Sequence, residues 1–72
     1  MPWETVESSA IEAVAYDPDR ELLDIELTNG RAYRYMDVPP AVYAAFMAAE
    51  SKGRFYNDAI RDVYLYTRLR RL

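Results

Sequence analysis

The sequence predicts an α+β fold in which a three-stranded antiparallel β-meander packs against two C-terminal helices. Residues 22–28 alternate apolar and polar side chains, and the Asn29-Gly30 pair that follows is typical of a tight turn between antiparallel strands. In the second half of the chain, apolar side chains recur every three or four residues, as on the buried face of a helix. Strands that precede helices, rather than alternating with them, favour the α+β class.

The length and composition predict one small domain. A chain of 72 residues has room for a single core, so we expect one domain spanning residues 1–72. The chain has no cysteine and no histidine, so its stability must come from apolar burial, for which seven tyrosines and 51% hydrophobic residues provide the material. It contains neither an apolar run of about 18 residues nor a signal-peptide pattern, and we therefore expect a cytoplasmic protein with no membrane partner.

The first strand is predicted at residues 10–16. Ile11, Val14 and Tyr16 fall on one face of this strand only if a β-bulge interrupts the alternation. Residues 17–20 form the following turn, in which Pro18 presets the backbone angle. The acidic side chains in and after this turn lack the rest of a cation-binding loop, so we interpret them as a solvated turn.

The length of the next loop decides which side chains of the hairpin face the core. A two-residue turn at Asn29-Gly30 would bring Arg34 onto the apolar face, whereas a three-residue loop at residues 28–30 places it on the opposite face. The second register buries the apolar groups and pairs the charges, so we predict it, with Gly30 at positive φ and Arg34 on the exposed face. The predicted cross-strand pairs are Leu27–Arg31, Ile25–Tyr33, Leu23–Tyr35 and Asp24–Arg34.

Two helices are predicted after Pro39-Pro40, which ends the sheet. The first covers residues 41–50 and is capped by Gly53, and the second begins at about Arg54. Residues 64–69 fit either a continuation of the second helix or an extended segment, and both remain open. The predicted core consists of the inward-facing apolar side chains of all these elements: Ile11, Val14, Leu23, Ile25, Leu27, Tyr33, Tyr35, Val42, Phe46, Phe55 and Ile60.

The charged residues are unevenly distributed along the chain. Residues 1–50 carry ten acids against three arginines, whereas residues 51–72 carry six bases against two acids, so the net charge of −3 hides a basic C-terminal segment. Such a segment can recruit an anionic partner. The two halves can equally attract each other across the fold, and both interpretations remain open.

No arrangement of residues in the sequence indicates an enzyme. A nucleophile needs a neighbouring base, and the serines have no histidine or cysteine to activate them. Each Asp and Glu fits a solvated strand face, a turn or a solvated helix face, and the isolated glycines do not form a phosphate-binding loop. We therefore expect a non-catalytic protein with no cofactor and no metal.

An aromatic and basic segment near the C-terminus provides the candidate binding residues. Arginine neutralises phosphates, and tyrosine rings stack on unpaired bases, which is the chemistry of single-stranded nucleic-acid recognition. In the alternative interpretation, Phe55, Tyr64 and Tyr66 belong to the core and the arginines only increase solubility. The candidate nucleic-acid-binding residues are Lys52, Arg54, Tyr56, Arg61, Tyr66, Arg68, Arg70 and Arg71.

A series of short motifs gives the chain a resemblance to a known family. In chain order they are Ser8-Ser9, Tyr16-Asp17, Asn29-Gly30, Tyr33-Arg34-Tyr35, Val38-Pro39, Ser51-Lys52-Gly53, Phe55-Tyr56-Asn57, Ile60-Arg61 and Tyr64-Leu65-Tyr66. Their order and spacing from residue 8 to residue 69 resemble the KTSC domain. The chain departs from many members at Leu65, where they have proline between two tyrosines.

The resemblance implies little about activity. Members of the KTSC domain family occur at the C-terminus of some lysyl-tRNA synthetases or as small stand-alone bacterial and phage proteins, and their molecular function is not established. The association with a synthetase suggests RNA binding, which is an expectation by analogy and no mechanism. Tyr33 and Tyr35 fall on the central tyrosine motif of the family, although the predicted register buries both.

Two functional hypotheses follow from these observations. The first is a non-catalytic module that binds RNA, for example a structured RNA such as tRNA, through the basic and aromatic C-terminal segment. The second is a protein-interaction module or small homodimer, because aromatic and arginine side chains are also enriched in interface cores. Binding to phosphates weakens steeply with salt whereas an apolar interface does not, so a salt titration separates the two hypotheses.

Overall fold

A computed structural model describes residues 2–70 and consists of a five-stranded antiparallel sheet with helices on one face. The strands lie in the sheet in chain order, β1-β2-β3-β4-β5. The strands are β1 (Glu4–Thr5), β2 (Ile11–Asp17), β3 (Leu22–Leu27), β4 (Ala32–Tyr35) and β5 (Tyr66–Leu69). The helices are α1 (Pro40–Ala48), the single turn α2 (Lys52–Phe55) and a π-helix (Tyr56–Ile60) that continues α2.

The prediction of a three-stranded meander against two helices is wrong, although the fold is still broadly α+β. Two strands lie outside the predicted meander: β1 pairs with β2, and β5 pairs with β4. The segment left open between helix and extended chain is therefore largely extended, from Tyr66 to Leu69. The second predicted helix is reduced to α2 and the π-helix, because the chain must turn back after Ile60 to reach the edge of β4.

The predicted register of the β3–β4 hairpin is confirmed. Leu23, Asp24 and Ile25 pair with Tyr35, Arg34 and Tyr33, and the Leu27 amide donates to the carbonyl oxygen of Arg31 at 2.8 Å. Gly30 has φ +90°, where a side chain would be disfavoured. The Asn29 side chain closes the loop by accepting from the Arg31 amide at 2.9 Å.

The Asp24–Arg34 pair lies on the predicted face of the hairpin, but Asp24 is buried there. The pair lies on the sheet face away from the helices, where Arg34 Nε and Nη2 donate to the two Asp24 carboxylate oxygens at 2.8 and 2.9 Å. Asp24 is only 4% exposed, since its strand is the central one and Ala15 and Arg34 flank it. The bidentate geometry compensates the cost of burying this carboxylate.

The core lies between the sheet and the helices. The predicted bulge occurs between Ile11 and Ala13, and it turns Ile11, Val14 and Tyr16 to the helix side. Seven of the predicted core residues are buried: Ile11, Val14, Leu23, Ile25, Tyr35, Phe46 and Ile60. The other four are partly buried and pack against that cluster: Leu27, Tyr33, Val42 and Phe55. Val38 and Tyr56 complete the core and were not predicted to lie there.

The short helices are held by local hydrogen bonds. Pro40 occupies the first turn of α1, where its missing amide costs nothing. Ser51 caps α2 by accepting from the Arg54 amide at 3.2 Å. The Lys52 ammonium donates to the Met47 and Ala49 carbonyl oxygens at 3.0 and 3.2 Å, which ties the end of α1 to the start of α2. These contacts fix the position from which the π-helix crosses the sheet.

Candidate functional site

A groove on the helix side of the sheet is the candidate functional site. It lies between the β3–β4 loop, the start of β5 and the π-helix, and is an open cleft of about 630 Å³. This volume is in the range of roughly 300–1,000 Å³ that is typical of small-ligand sites. The groove is lined by Ser9, Ala10, Leu27, Thr28, Asn29, Arg31, Tyr33, Tyr35, Tyr56, Asn57, Arg61, Asp62 and Tyr66.

Four tyrosine rings make up the aromatic part of the groove. The ring of Tyr66 meets Tyr33 edge to face, with centroids 5.5 Å apart, and lies 5.6 Å from Tyr35 at a tilt of 42°. Tyr35 in turn meets Tyr56 edge to face at 5.8 Å. Such geometries are the favoured ones for aromatic pairs. Tyr35 and Tyr56 are buried, whereas Tyr66 is 56% exposed and is therefore the ring that a ligand can reach.

The two buried tyrosines share a hydrogen bond between their hydroxyl groups. The Tyr35 and Tyr56 oxygens are 2.5 Å apart, and either can be the donor. Burial raises the pKa of Tyr35 and of Tyr56 above the ordinary value of 10.0, so both remain neutral near neutral pH. Neither group is therefore prepared to act as a base, and the pair serves to hold the two rings in place beneath the groove.

The π-helix decides which side chains of its segment face the groove. Its register is marked by the Arg61 amide, which donates to the Tyr56 carbonyl oxygen at 2.8 Å. Tyr56 and Ile60 enter the core, while Asn57 and Arg61 are exposed and line the groove. Short π-helical segments occur frequently at functional sites.

Acidic side chains lie at both ends of the strands, and arginines line the groove at one of these ends. Asp19 and Glu21 lie at the β2–β3 turn, and Asp37 lies at the same end of the sheet, because the next residue, Val38, donates its amide to the Glu21 carbonyl. Arg31 and Arg61 line the groove, which lies at the opposite end, beside the β3–β4 loop. No ion pair within residues 2–70 engages either of these two guanidinium groups. Their one acidic neighbour in the groove lining is Asp62.

The end of β5 adds further positive charge near the groove. Arg68 lies opposite Tyr33 in the β4–β5 register, so its side chain projects from the same face of the sheet as that ring. Arg68 and Arg70 are both exposed. The direction of β5, antiparallel to β4, brings these arginines to the same end of the molecule as Arg31.

The residues predicted as nucleic-acid-binding lie in different surroundings. Arg61 and Tyr66 line the groove, and Arg68 and Arg70 lie exposed beside it. Lys52 caps α1, and Arg54 is exposed on α2 outside the groove lining. Tyr56 is a correction: it is 6% exposed and hydrogen-bonded in the core, so its ring cannot stack on a base. Arg71 lies outside the described residues.

Arg31, Tyr33 and Asn57 belong to the groove and were absent from the predicted site. The hairpin register already placed Arg31 at the end of the β3–β4 loop. The pairing of β5 with β4 brings Tyr66 within reach of Tyr33, and this pairing was not predicted. The only signal for that pairing was the β-propensity of Tyr66 and Thr67 within a segment that also fitted a helix.

Residues 2–70 contain neither a cluster of metal-binding side chains nor a helix that could span a membrane. In that part of the chain, no group of three or more His, Cys, Asp or Glu side chains has an arrangement that would hold a metal ion. None of its helices is long and apolar enough to cross a membrane.

Comparison with known proteins gives consistent matches over most of the chain. A sequence model of the KTSC domain matches residues 7–64. A protein of Tsukamurella paurometabola is 50% identical over 56 residues, which cover 78% of this chain and 84% of that protein. The chain also matches a lysine–tRNA ligase of Nostoc punctiforme, with 33% identity over 88% of this chain but only 11% of that enzyme.

A solved structure shares the fold. The crystal structure of a KTSC domain protein from Yersinia pestis aligns with a TM-score of 0.89 and 36% sequence identity. The alignment covers 94% of this chain and 96% of the other. The five-stranded arrangement is therefore similar to that of an experimentally solved relative.

Proposed function

This chain belongs to the KTSC domain family, and on that premise we propose that it is a non-catalytic RNA-binding module. Its binding surface is the tyrosine-lined groove together with the exposed arginines at the end of β5. The observation that carries the proposal is the juxtaposition of an exposed, laterally supported ring, Tyr66, with the guanidinium groups of Arg31 and Arg61. An RNA ligand also implies that the protein acts in the cytoplasm.

The chemistry of this surface matches what RNA offers. Phosphates need cations that are not already paired, and Arg31 and Arg61 have no ion-pair partner within residues 2–70. Bases need flat apolar surfaces, which Tyr66 supplies.

The relatives give independent support. The matched lysine–tRNA ligase of Nostoc punctiforme acts on tRNA by its name, and the chain corresponds to only 11% of its length. A small domain that accompanies such an enzyme is well placed to contribute affinity for the RNA, since a linked second site raises the effective concentration of the ligand. Catalysis by that enzyme is not carried over to this chain.

A binding titration of a tRNA pool tests the proposal. We expect wild type to bind at low salt and to weaken steeply as salt rises, because each arginine contact releases counterions. Neutralising Arg68, Arg70 and Arg71 together is expected to remove most of the affinity and to flatten the salt dependence while the fold is retained. The absence of binding by wild type at low salt would reject an RNA ligand. Equal binding by both proteins would reject the contribution of these arginines.

A second candidate function is a protein-interaction module. Val63 and Leu65 are 61% and 77% exposed and directly precede β5, whose outer edge is unpaired among residues 2–70. An extended segment of a partner, or of a second copy, can add to such an edge. Sedimentation at several protein concentrations tests for self-association, and Leu65→Lys is expected to abolish it if it occurs. Salt-insensitive association would favour this function over RNA binding.

A further inference from the structure

We propose that the groove receives an unpaired nucleotide, so that the RNA recognised is single-stranded rather than duplex. The base stacks on the exposed face of Tyr66, and the adjoining phosphates lie against Arg31 and Arg61. This inference rests on the proposed function and specifies the class of RNA that the site takes.

The first argument is the way in which Tyr66 is held. Tyr33 and Tyr35 contact its ring from the neighbouring strand β4, and their own positions are fixed by the β3–β4 register. More than half of the Tyr66 surface nevertheless stays exposed, at 56%. An exposed ring with so little freedom has already lost most of the entropy that stacking would cost, and a base can therefore bind it at little further cost.

The second argument is the polar rim of the groove. Asn57 is exposed beside the rings, and its side-chain amide makes no hydrogen bond to residues 2–70. An amide has both donors and acceptors, as do the edges of a base that is splayed out of its helix. In a duplex the Watson–Crick edges are occupied by pairing and the base faces by stacking, so an unpaired base is the one that can use the ring and the side-chain amide together.

The third argument is the shape of the positive surface. Duplex RNA is recognised across successive grooves by contacts to many phosphates, which requires an extended basic face. Here the arginines of the groove span only part of a molecule whose longest dimension is 28 Å, and the acidic Asp62 lies among them. A duplex laid along the protein would meet Asp19, Glu21 or Asp37, whereas a single strand can end or turn at the groove.

Fluorescence anisotropy with two labelled RNA probes tests the inference. One probe is an eight-nucleotide oligouridylate, and the other is a blunt hairpin whose stem has the same number of phosphates and whose loop is a short non-nucleotide linker. We expect wild type to bind the single strand at least tenfold more tightly. Tyr66→Ala is expected to lose about 5- to 150-fold in affinity for the single strand, the range measured for removing one base–aromatic stack.

Three further variants separate stacking and charge from folding. Tyr66→Phe keeps the ring and is expected to bind within about twofold of wild type, whereas Tyr66→Leu keeps bulk on β5 but loses the stack. Arg61→Gln is expected to reduce the slope of affinity against salt by about 0.7, the value for one phosphate of a single strand. Arg20→Gln removes the same charge at the far turn and is expected to leave the slope unchanged at about 0.15 M salt and above, where the screening length is about 8 Å or less. Circular dichroism of every variant shows whether the fold is retained.

The outcomes distinguish this inference from the proposed function. Equal or tighter binding of the hairpin would overturn the unpaired nucleotide while RNA binding stands. Tight binding of the single strand by both Tyr66→Ala and Tyr66→Leu would likewise remove the stacking site from the groove. Failure of wild type to bind either probe at low salt would overturn both proposals.

Discussion

At the scale of single residues, the buried hydroxyl pair of Tyr35 and Tyr56 links the core to the candidate site. The hydrogen bond satisfies two polar groups that water cannot reach, and the same two rings lie beneath Tyr66 and the π-helix. A buried polar group is costly only when it loses its partner. The pair therefore determines the position of both rings, because each hydroxyl requires the other.

This dependence predicts a non-additive double-mutant cycle. Tyr35→Phe or Tyr56→Phe alone leaves one hydroxyl without its partner, and each is expected to lower the free energy of unfolding by about 1–3 kcal/mol. The double variant is expected to cost no more than either single change, because no orphaned hydroxyl remains. Tyr33→Phe is the control, since its hydroxyl has no hydrogen bond within residues 2–70, and is expected to change stability by less than about 0.5 kcal/mol. If urea denaturation shows that the two single losses in the free energy of unfolding add up in the double variant, the two hydroxyl groups do not depend on each other.

Gly30 shows how the backbone angle of a single residue bears on the register of the β3–β4 hairpin. Its φ of +90° is compatible with the predicted three-residue loop, and an added Cβ would meet nothing within 4 Å. The constraint on this position is therefore the backbone angle and not space. This loop was predictable from the sequence because one register alone buried the tyrosines and paired Arg34 with Asp24.

At the scale of elements, the sequence predicted the strands that bury a face and missed those that lie at the edges. Strands β2, β3 and β4 each contribute buried residues to the core, so apolar residues recur in their sequences in a way that predicts a strand. Strand β1 has two residues, both exposed, which is too short for any period to appear. Strand β5 has one partly buried residue of four, and its pairing depends on a distant partner, β4.

The candidate site was predicted only in part for the same reason. Charge and aromatic content along the chain identified Arg61, Tyr66 and Arg68. The groove, however, is assembled from the β3–β4 loop, β5 and the π-helix, which are far apart in sequence. Tyr56 was misassigned to the surface, although a side chain four residues before Ile60 shares its helix face and both enter the core.

Lys52 was predicted to bind nucleic acid, but in the structure it joins the end of α1 to α2, and this role can be tested. Its ammonium donates to two carbonyl oxygens at the end of α1, where positive charge is favourable. Lys52→Met is expected to lower the free energy of unfolding by about 0.5–1 kcal/mol. Arg54→Met is the matched control: it removes the same charge from an exposed side chain that has no hydrogen bond within residues 2–70. Equal thermal stability of the two variants would show that Lys52 does not support α1.

At the scale of the whole molecule, the tyrosines predict how stability depends on pH. Burial raises the pKa of Tyr35, Tyr56, Tyr16 and Tyr43 above 10.0 in the folded chain. The unfolded chain therefore loses these protons first as pH rises, so the contribution of the four groups is complete below about pH 10 and is lost above it. We expect melting temperatures that are insensitive to tyrosine ionisation near neutral pH and fall steeply above about pH 10.

The double variant Tyr35→Phe with Tyr56→Phe provides the control for this alkaline loss. It has no ionisable group at the two most buried positions, so its stability is expected to fall less steeply above pH 10 than that of wild type. Parallel curves for wild type and the double variant would assign the alkaline loss to other groups.

The acids of the β2–β3 turn, which lies far from the groove, predict a salt-dependent effect of distant residues on RNA binding. The screening length is about 30 Å at 0.01 M salt and about 8 Å at 0.15 M, and the molecule is 28 Å along its longest axis. Repulsion between RNA at the groove and acids at the other end should therefore be felt only at low salt. Asp19→Asn with Glu21→Gln is expected to raise RNA affinity by roughly twofold at 0.01 M and to leave it unchanged at 0.15 M.

Arg20 lies between the two acids on the same turn, so removing its positive charge is expected to change RNA affinity in the opposite direction. Arg20→Gln leaves the groove untouched and makes the far end more acidic, so it is expected to weaken RNA binding at 0.01 M and to have no effect at 0.15 M. Opposite shifts of the two variants at low salt, converging at high salt, require a ligand bound at the groove end. Shifts that persist at 0.15 M would instead place the RNA in direct contact with the β2–β3 turn, because only charges within about a screening length act at that salt concentration.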